Sequence, residues 1–501
     1  MLSSTLGVAL AFAATKLLLH LLTNGQYGYF RDELYFLACG DHLDWGYVDH
    51  APLSPLVAKV GRLLFGDSLH AIRFLPALAG AAKVLLTGLM ARELGGGRFA
   101  VALACLCVLV APIYLGLDTI FSMNVFEPLF WMGCAYVAIL AVKRGQPKLW
   151  IWFGVLAGLG LQNKHSMLFF GFALVAGLLL TGQRRAFRQK WIWIAGAIAL
   201  AIFLPNLLWQ YRHGWPTLEF LNNVSRTHKN VELAPPAFLW QQAVMLLPTT
   251  ALVWVAGLWF FFFDTAGKRH RLLGWAYLVL LGVMIALKAK NYYVAPVYPM
   301  LFAAGGVLWE KCRPRWVKIA LPAVVLVTGA IFAPLALPAL PPESYVRYQA
   351  ALGINVPKTE VHHQGKLPQL FGDMFGWPEL VGTVAKVYSA LPAEERGKAA
   401  ILAGNYGEAG AIDFFGPRYG LPRAISRHNS YFLWGPRNYN GEVMIVLQAS
   451  REYLGRVCAS VEEAAVQYHP YGMAEENRAI HVCRGLKFRL KGSWPFLKHF
   501  Q

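Results

Sequence analysis

Residues 27–55 read YGYFRDELYFLACGDHLDWGYVDHAPLSP. The stretch follows an apolar segment, Leu6 to Leu22, long enough to reach across a bilayer. Two adjacent carboxylates, Asp32 and Glu33, therefore sit among aromatics where a membrane span ends. Asp49-His50 follows, before the proline-interrupted run Ala51-Pro52-Leu53-Ser54-Pro55. Charges this close to hydrocarbon are costly unless they face water, a partner or a ligand, so the cluster is a candidate functional site. An interfacial loop with an aromatic belt is the plainer alternative. The density of acid, aromatic and proline favours function.

Composition agrees with a membrane chain. Of 501 residues, 56% are hydrophobic and 15% charged, against about 25% charged in soluble domains. The formal charge of +19 gathers in short loops between apolar segments, where it sets topology and gives no case for nucleic-acid binding. Residues 4–22, 70–91, 98–115, 125–142, 149–162, 165–181, 191–211, 237–263, 272–288, 293–309 and 316–337 read as about eleven spans at roughly 20 residues per crossing. Loops rich in Lys and Arg, such as those with Arg184, Arg185 and Arg188 or Lys311, Arg313 and Arg315, belong on the cytoplasmic side. Gly25 to Leu69, Gly116 to Asn124, the turn near Asn163, Arg212 to Pro236, Lys288 to Tyr292 and everything after Leu337 then face outward.

Within the first outer loop, Asp32 to Cys39 and Leu53 to Phe65 both have helical spacing and read as amphipathic juxtamembrane helices, or as caps on the bundle. The second outer loop, GLDTIFSMNVFEPLFW, carries Asp118 at the mouth of one span, placed toward the cavity of Asp32. Its Glu127 reads as a first-turn acid at a helix N-terminus. Lys164, in QNKH, and Lys290, beside Asn291, Tyr292 and Tyr293, are cations on the outer side. Their polar and aromatic neighbours favour phosphate binding over snorkelling. The loop holding His213, Trp215, Arg226, His228 and Lys229 suits a lid or an acceptor contact.

After Leu337 the pattern changes. The expected organisation is a transmembrane domain at 1–337, with its first outer loop at 25–69, a linker at 338–375 and a small extracytoplasmic α/β domain at 376–501. Helical stretches such as Pro378 to Leu391 alternate with strand patterns at Ala399 to Ala403 and Glu442 to Leu447. Asn405, Tyr406, Glu408 and the run His428-Asn429-Ser430-Tyr431 read equally as binding loops or as turn chemistry. Cysteines show no zinc or haem spacing. Whether Cys458 and Cys483 pair depends on an oxidising setting and stays open.

Outward carboxylates and cations suit transfer of a group from a lipid phosphate to a hydroxyl. A carboxylate takes the proton of the attacking hydroxyl, and cations stabilise the leaving phosphate. No Gly-rich nucleotide loop follows a strand. A secondary transporter or lipid flippase is the main competing class, since transporters also carry charges and broken helices within the membrane. No inverted repeat supports it. A receptor built on the tail domain is a third reading.

Four segments carry a family resemblance: residues 27–53, SMNVFEPLFW at 122–131, GLGLQNKHSML at 158–168 and KNYYVAPVYPML at 290–301. They resemble the GT-C-type membrane glycosyltransferases, specifically the bacterial branch of the protein O-mannosyltransferase family (glycosyltransferase family 39), and are similar to the aminoarabinose–lipid A transferases. NYGEAGAID and HNSYFLWGP resemble bacterial members with an added C-terminal domain. The resemblance implies a GT-C-like fold in the bacterial cytoplasmic (inner) membrane with an extracytoplasmic site. It implies a polyprenyl-phosphate-linked sugar donor, inversion at the anomeric carbon, and a hydroxyl acceptor on protein, lipid A, glycan or lipid. Asp32, with Glu33 beside it, stands at the catalytic base. Asp118, Asp49 and His50 stand on the second-acid and acceptor side. Ala51 replaces the first proline that relatives carry there. Lys164, Lys290, Tyr292 and Tyr293 stand at the donor phosphate. No cofactor is certain. A divalent metal has Asp49 and His50 as its only candidate ligands, too few to define a site.

Overall fold

The computed structural model describes residues 4–227, 230–354, 356, 360 and 365–501. His228 and Lys229, from the lid reading, lie outside the described residues. Packing divides the chain into two units that do not follow sequence order: residues 1–26, 65–208 and 232–340 form one, and residues 27–64, 209–231 and 341–501 form the other.

The first unit is helical. Six of the described helices are long and apolar enough to cross a bilayer, or up to eight if each of two bent pairs is one span. Eleven crossings were expected, and several of those segments are split. Residues 98–115 divide into Arg98–Val110 and Pro112–Leu117 at Ala111, because proline removes an amide and disfavours helix before it. Residues 237–263 break between Pro235–Met245 and Ala251–Phe263 with a 98° bend, where Leu247 adopts φ 75° before Pro248. The segment at 293–309 begins as the 3₁₀ turn Asn291–Val297 before Tyr298–Glu310.

Lipid tails offer helices no hydrophobic reason to associate, so close approach through small residues carries the packing. Ala251–Phe263 and Tyr298–Glu310 meet at Gly257 and Gly305. A Cβ on Gly257 would fall 1.9 Å from the Leu301 carbonyl oxygen, and one on Gly305 would fall 1.9 Å from that of Val253. Ala100, Ala104, Cys105 and Cys107 are buried in the same core, as small residues there should be. Glu310, at the end of its helix, accepts amides from Gly97 at 2.5 Å and Phe99 at 3.2 Å. It thereby satisfies the open N-terminus of Arg98–Val110.

The second unit is α/β. Strands β1 (Ala399–Ala403), β2 (Ile425–Ser426), β3 (Val443–Val446), β4 (Cys458–Val466) and β5 (Ala479–Leu486) form one sheet in the order β2-β1-β3-β5-β4. β1 pairs in parallel with β2 and β3, and β5 pairs antiparallel with β3 and β4. Side chains alternate across a strand. Ile401, Ala403, Val443 and Ile445 enter one core, and Ala400, Met444 and Val446 the other. Both faces are covered, as parallel strands require. Cys458 and Cys483 form a disulfide between β4 and β5.

Residues 27–64 belong to this α/β unit. Helix Arg31–Asp41 contributes Leu34, Tyr35, Ala38 and Cys39 to the first core, beside Ile412 of helix Tyr406–Phe415. It is buried from Glu33 to Gly40. Leu53–Phe65 turns Ser54, Ala58 and Gly61 inward and leaves Leu56, Val60, Leu63 and Leu64 exposed at 46%, 44%, 75% and 69%. That outward apolar stripe suits a helix lying on a membrane surface. Asp41 joins the two helices through Lys59 at 2.9 Å and Arg62 at 3.1 Å.

Gly305→Leu is expected to lower the thermal midpoint in detergent sharply, since overpacking costs about 1–3 kcal/mol or more. Gly196→Ala, whose added Cβ meets nothing within 4 Å, is the control and is expected to hold or raise it.

Candidate functional site

Asp32 lies in the first turn of helix Arg31–Asp41 and is half-buried. Its Oδ1 accepts a 2.8 Å hydrogen bond from the Tyr406 hydroxyl. Tyr406 opens helix Tyr406–Phe415, directly after β1, where Asn405 caps the helix by accepting the Gly407 and Glu408 amides. Burial pushes the Tyr406 hydroxyl well above its usual range, so it stays protonated and donates. No hydrogen bond to the other Asp32 oxygen occurs among the described residues.

Asp49 is held in a parallel way. Its Oδ1 accepts from the Tyr35 hydroxyl at 2.8 Å, and its Oδ2 accepts from Asn429 Nδ2 at 3.1 Å. Burial raises its carboxyl above the ordinary range. The Tyr35 hydroxyl also lies 2.8 Å from Ser430 Oγ. The phenols that serve the two acids stack on each other with ring centroids 4.5 Å apart, and the His428 ring lies 5.0 Å from that of Tyr406. His428 Nδ1 accepts the Tyr406 amide at 3.2 Å and Nε2 meets the Gln501 carbonyl at 2.9 Å, which places its proton on Nε2. Arg31 sits 5.6 Å from the Tyr406 ring centroid and 3.4 Å from Asp373.

The other expected residues of this unit do different work. Glu33 is fully buried and reaches back to accept the Phe30 amide at 2.8 Å, closing the helix N-terminus. His50 is buried, which lowers its basicity. Its Nδ1 lies 3.1 Å from the Ala51 carbonyl and its Nε2 lies 3.6 Å from Cys39 Sγ. Both Asp49 oxygens have donors and both His50 nitrogens have local partners, so the pair does not fit a metal. Among the described residues, no three His, Cys, Asp or Glu side chains are grouped to hold one.

In the helical unit, Asp118 is fully buried between two lysines. Lys16 Nζ lies 3.1 Å from Oδ2, and Lys83 bonds Oδ1. Both lysines are charges inside apolar spans; an intramembrane charge needs a partner, and here each has Asp118. Lys164 Nζ donates to Asn124 Oδ1 and Glu127 Oε2, each at 2.8 Å, and lies 4.4 Å from the Tyr293 ring centroid and 5.9 Å from that of Tyr292. Glu127, read as a first-turn helix acid, is instead the buried partner of Lys164 and Ser166. Two acceptors leave the third ammonium donor of Lys164 without a partner among the described residues. Lys290 is half-buried just before the Asn291–Val297 turn. Asn291 bonds Gln241.

A family model described as dolichyl-phosphate-mannose-protein mannosyltransferase matches residues 49–209. ArnT from Cupriavidus metallidurans bound to undecaprenyl phosphate superposes with a TM-score of 0.63 at 14% identity, covering 95% of this chain and 98% of that one. Its apo form gives 0.61 at 15% identity, covering 95% and 97%. The chain shares the fold of these ArnT structures over nearly its whole length. No curated protein matches it in sequence. The glycosyltransferase family match includes Asp49, His50, Asp118 and Lys164, and leaves out Asp32, Glu33, Lys290, Tyr292 and Tyr293.

Burial raises Asp373 to about 7 and Asp413 to about 6 in the α/β unit. Acids raised in the folded state hold protons that the unfolded chain releases. Their stabilisation is complete at low pH and is lost as pH climbs from about 4 to about 7. Thermal midpoints are expected to fall between about pH 4 and about pH 7, and Asp413→Asn is expected to flatten that fall.

Proposed function

We propose that the chain is a membrane glycosyltransferase that moves a sugar from a polyprenyl-phosphate donor to a hydroxyl acceptor, with Asp32 as the base. The observation that carries this reading is the Asp32 carboxylate. One oxygen is fixed by a neutral phenol, and the other carries no hydrogen bond among the described residues. A base needs that arrangement: an oriented carboxylate, not neutralised by an ion pair, with a lone pair to offer.

In the proposed step the acceptor O–H bond breaks and its proton passes to Asp32. The acceptor oxygen forms a bond to the anomeric carbon from the face opposite the phosphate. The anomeric C–O bond breaks, its electron pair leaves with the phosphate oxygen, and the configuration inverts. Asp49 receives hydroxyls of the sugar or the acceptor. Lys164, with one ammonium donor in hand, and Lys290, beside Tyr292 and Tyr293, stabilise the phosphate. Glu127 lies 2.8 Å from the Lys164 ammonium and pairs with it. The ArnT crystal structure contains undecaprenyl phosphate, which supports a lipid phosphate as the donor's carrier. The outward apolar stripe of Leu53–Phe65 supports a site at the membrane surface. On this reading the protein spans the bacterial inner membrane with its acids on the extracytoplasmic side.

Purified protein supplied with a panel of undecaprenyl-phosphate sugars and hydroxyl acceptors is expected to release undecaprenyl phosphate only when an acceptor is present. Asp32→Asn is expected to lower turnover by about 10²–10⁴-fold, the range for loss of a general base, with an unchanged thermal midpoint. Full turnover in that variant would remove Asp32 from the reaction.

A further inference from the structure

The C-terminal part of the α/β unit, residues 341–501, has no role in the chemistry just described, yet its strand ends supply the groups that touch both acids. β1 is flanked by β2 and β3 in parallel. The loops leaving the carboxyl ends of β1 and β2 emerge at the same edge of the sheet, the edge at which open α/β sheets bind ligands, and the strand order reverses between β1 and β3. Tyr406 follows β1 and donates to Asp32. Asn429 follows β2 and donates to Asp49.

Each residue is held on its other sides. The Tyr406 ring lies between those of Tyr35 and His428, and its amide is fixed by His428. Asn429 is buried at φ 45°, a left-handed conformation that asparagine tolerates better than most residues. Its amide oxygen accepts the Gln501 amide at 3.1 Å, so its Nδ2 faces Asp49. Packing needs only the ring of Tyr406. Its hydroxyl is a donor aimed at one carboxylate oxygen, and no packing argument requires it.

We propose that Tyr406 and Asn429 are positioning residues of the transfer reaction, and that the C-terminal α/β domain is thereby part of the catalytic centre. Neither touches the reacting atoms. Each fixes one carboxylate oxygen so that the carboxyl group presents a defined face, as outer-shell partners do for functional side chains. The inference rests on the reading of Asp32 as the base.

The test uses the full-length protein and the undecaprenyl-phosphate sugar that gives fastest release. Tyr406→Phe removes one oxygen and keeps the ring. It is expected to lower kcat by about 10- to 100-fold, the range for outer-shell partners, with KM for the donor and the thermal midpoint unchanged. In the Asp32→Asn background, where residual turnover is followed over hours, the same change is expected to have no further effect, because the two residues act as one unit. Asn429→Asp keeps the size of the side chain and sets a carboxylate against Asp49. It is expected to lower kcat and, because a buried carboxylate then faces that of Asp49, to lower the thermal midpoint as well. Wild-type kcat in both Tyr406→Phe and Asn429→Asp would overturn the proposal. So would a Tyr406→Phe loss of equal size in the presence and absence of the Asp32 carboxylate, or one that follows a fallen thermal midpoint. These outcomes differ from failure of the base assignment itself, which shows as full turnover in Asp32→Asn alone.

Discussion

A hydrogen bond from Tyr406 to Asp32 joins residues 374 positions apart, and the second packing unit is arranged around it. A half-buried carboxylate next to apolar surface is costly unless hydrogen-bonded. A cationic partner would stabilise the charge and weaken the base. A phenol whose own ionisation is suppressed by burial orients the carboxylate and contributes no charge. The same solution recurs at Asp49, where Tyr35 and Asn429 are the donors. Stacking of the two phenols makes the geometry of one acid depend on that of the other.

The helical unit handles charge in the opposite way. Asp118 and Glu127 are matched by lysines, as ionised groups within a membrane domain must be. Lys164 meets Glu127, Asn124 and a tyrosine ring, and retains a third ammonium donor with no hydrogen bond among the described residues. Its backbone packing follows from small residues, with Gly257 and Gly305 letting two helices touch where any side chain would collide.

Much of this was legible locally. The spacing of Leu34, Phe36 and Leu37 gave the Asp32 helix, and the run from Leu53 to Phe65 gave the next. β1 and β3 were readable as short apolar runs between turn residues. β4 and β5 were not, because β4 is an edge strand, largely exposed, and carries Glu462 and Glu463. About eleven apolar segments stand against six to eight helices of spanning length among the described residues, because some segments form helices too short to qualify and hydropathy is insensitive to a proline break inside an apolar run. Asp32, Asp49 and Lys164 stood out as charges in costly places, and Lys16 and Lys83 carried the same signal. The burial of the first loop in the α/β core left no local trace. It depends on contacts between residues hundreds of positions apart, and neither periodicity nor composition encodes those.

The central claim is that the Asp32 and Asp49 carboxylates, held by donors from the α/β domain, are where the sugar is transferred. A cryo-EM structure of the full-length protein with an undecaprenyl-phosphate sugar bound tests it most directly. The account expects the sugar within hydrogen-bond reach of Asp32 and Asp49, with the Tyr406 and Asn429 contacts kept. A sugar bound away from both carboxylates, or an Asp32 that releases Tyr406 and turns from the ligand, would contradict it.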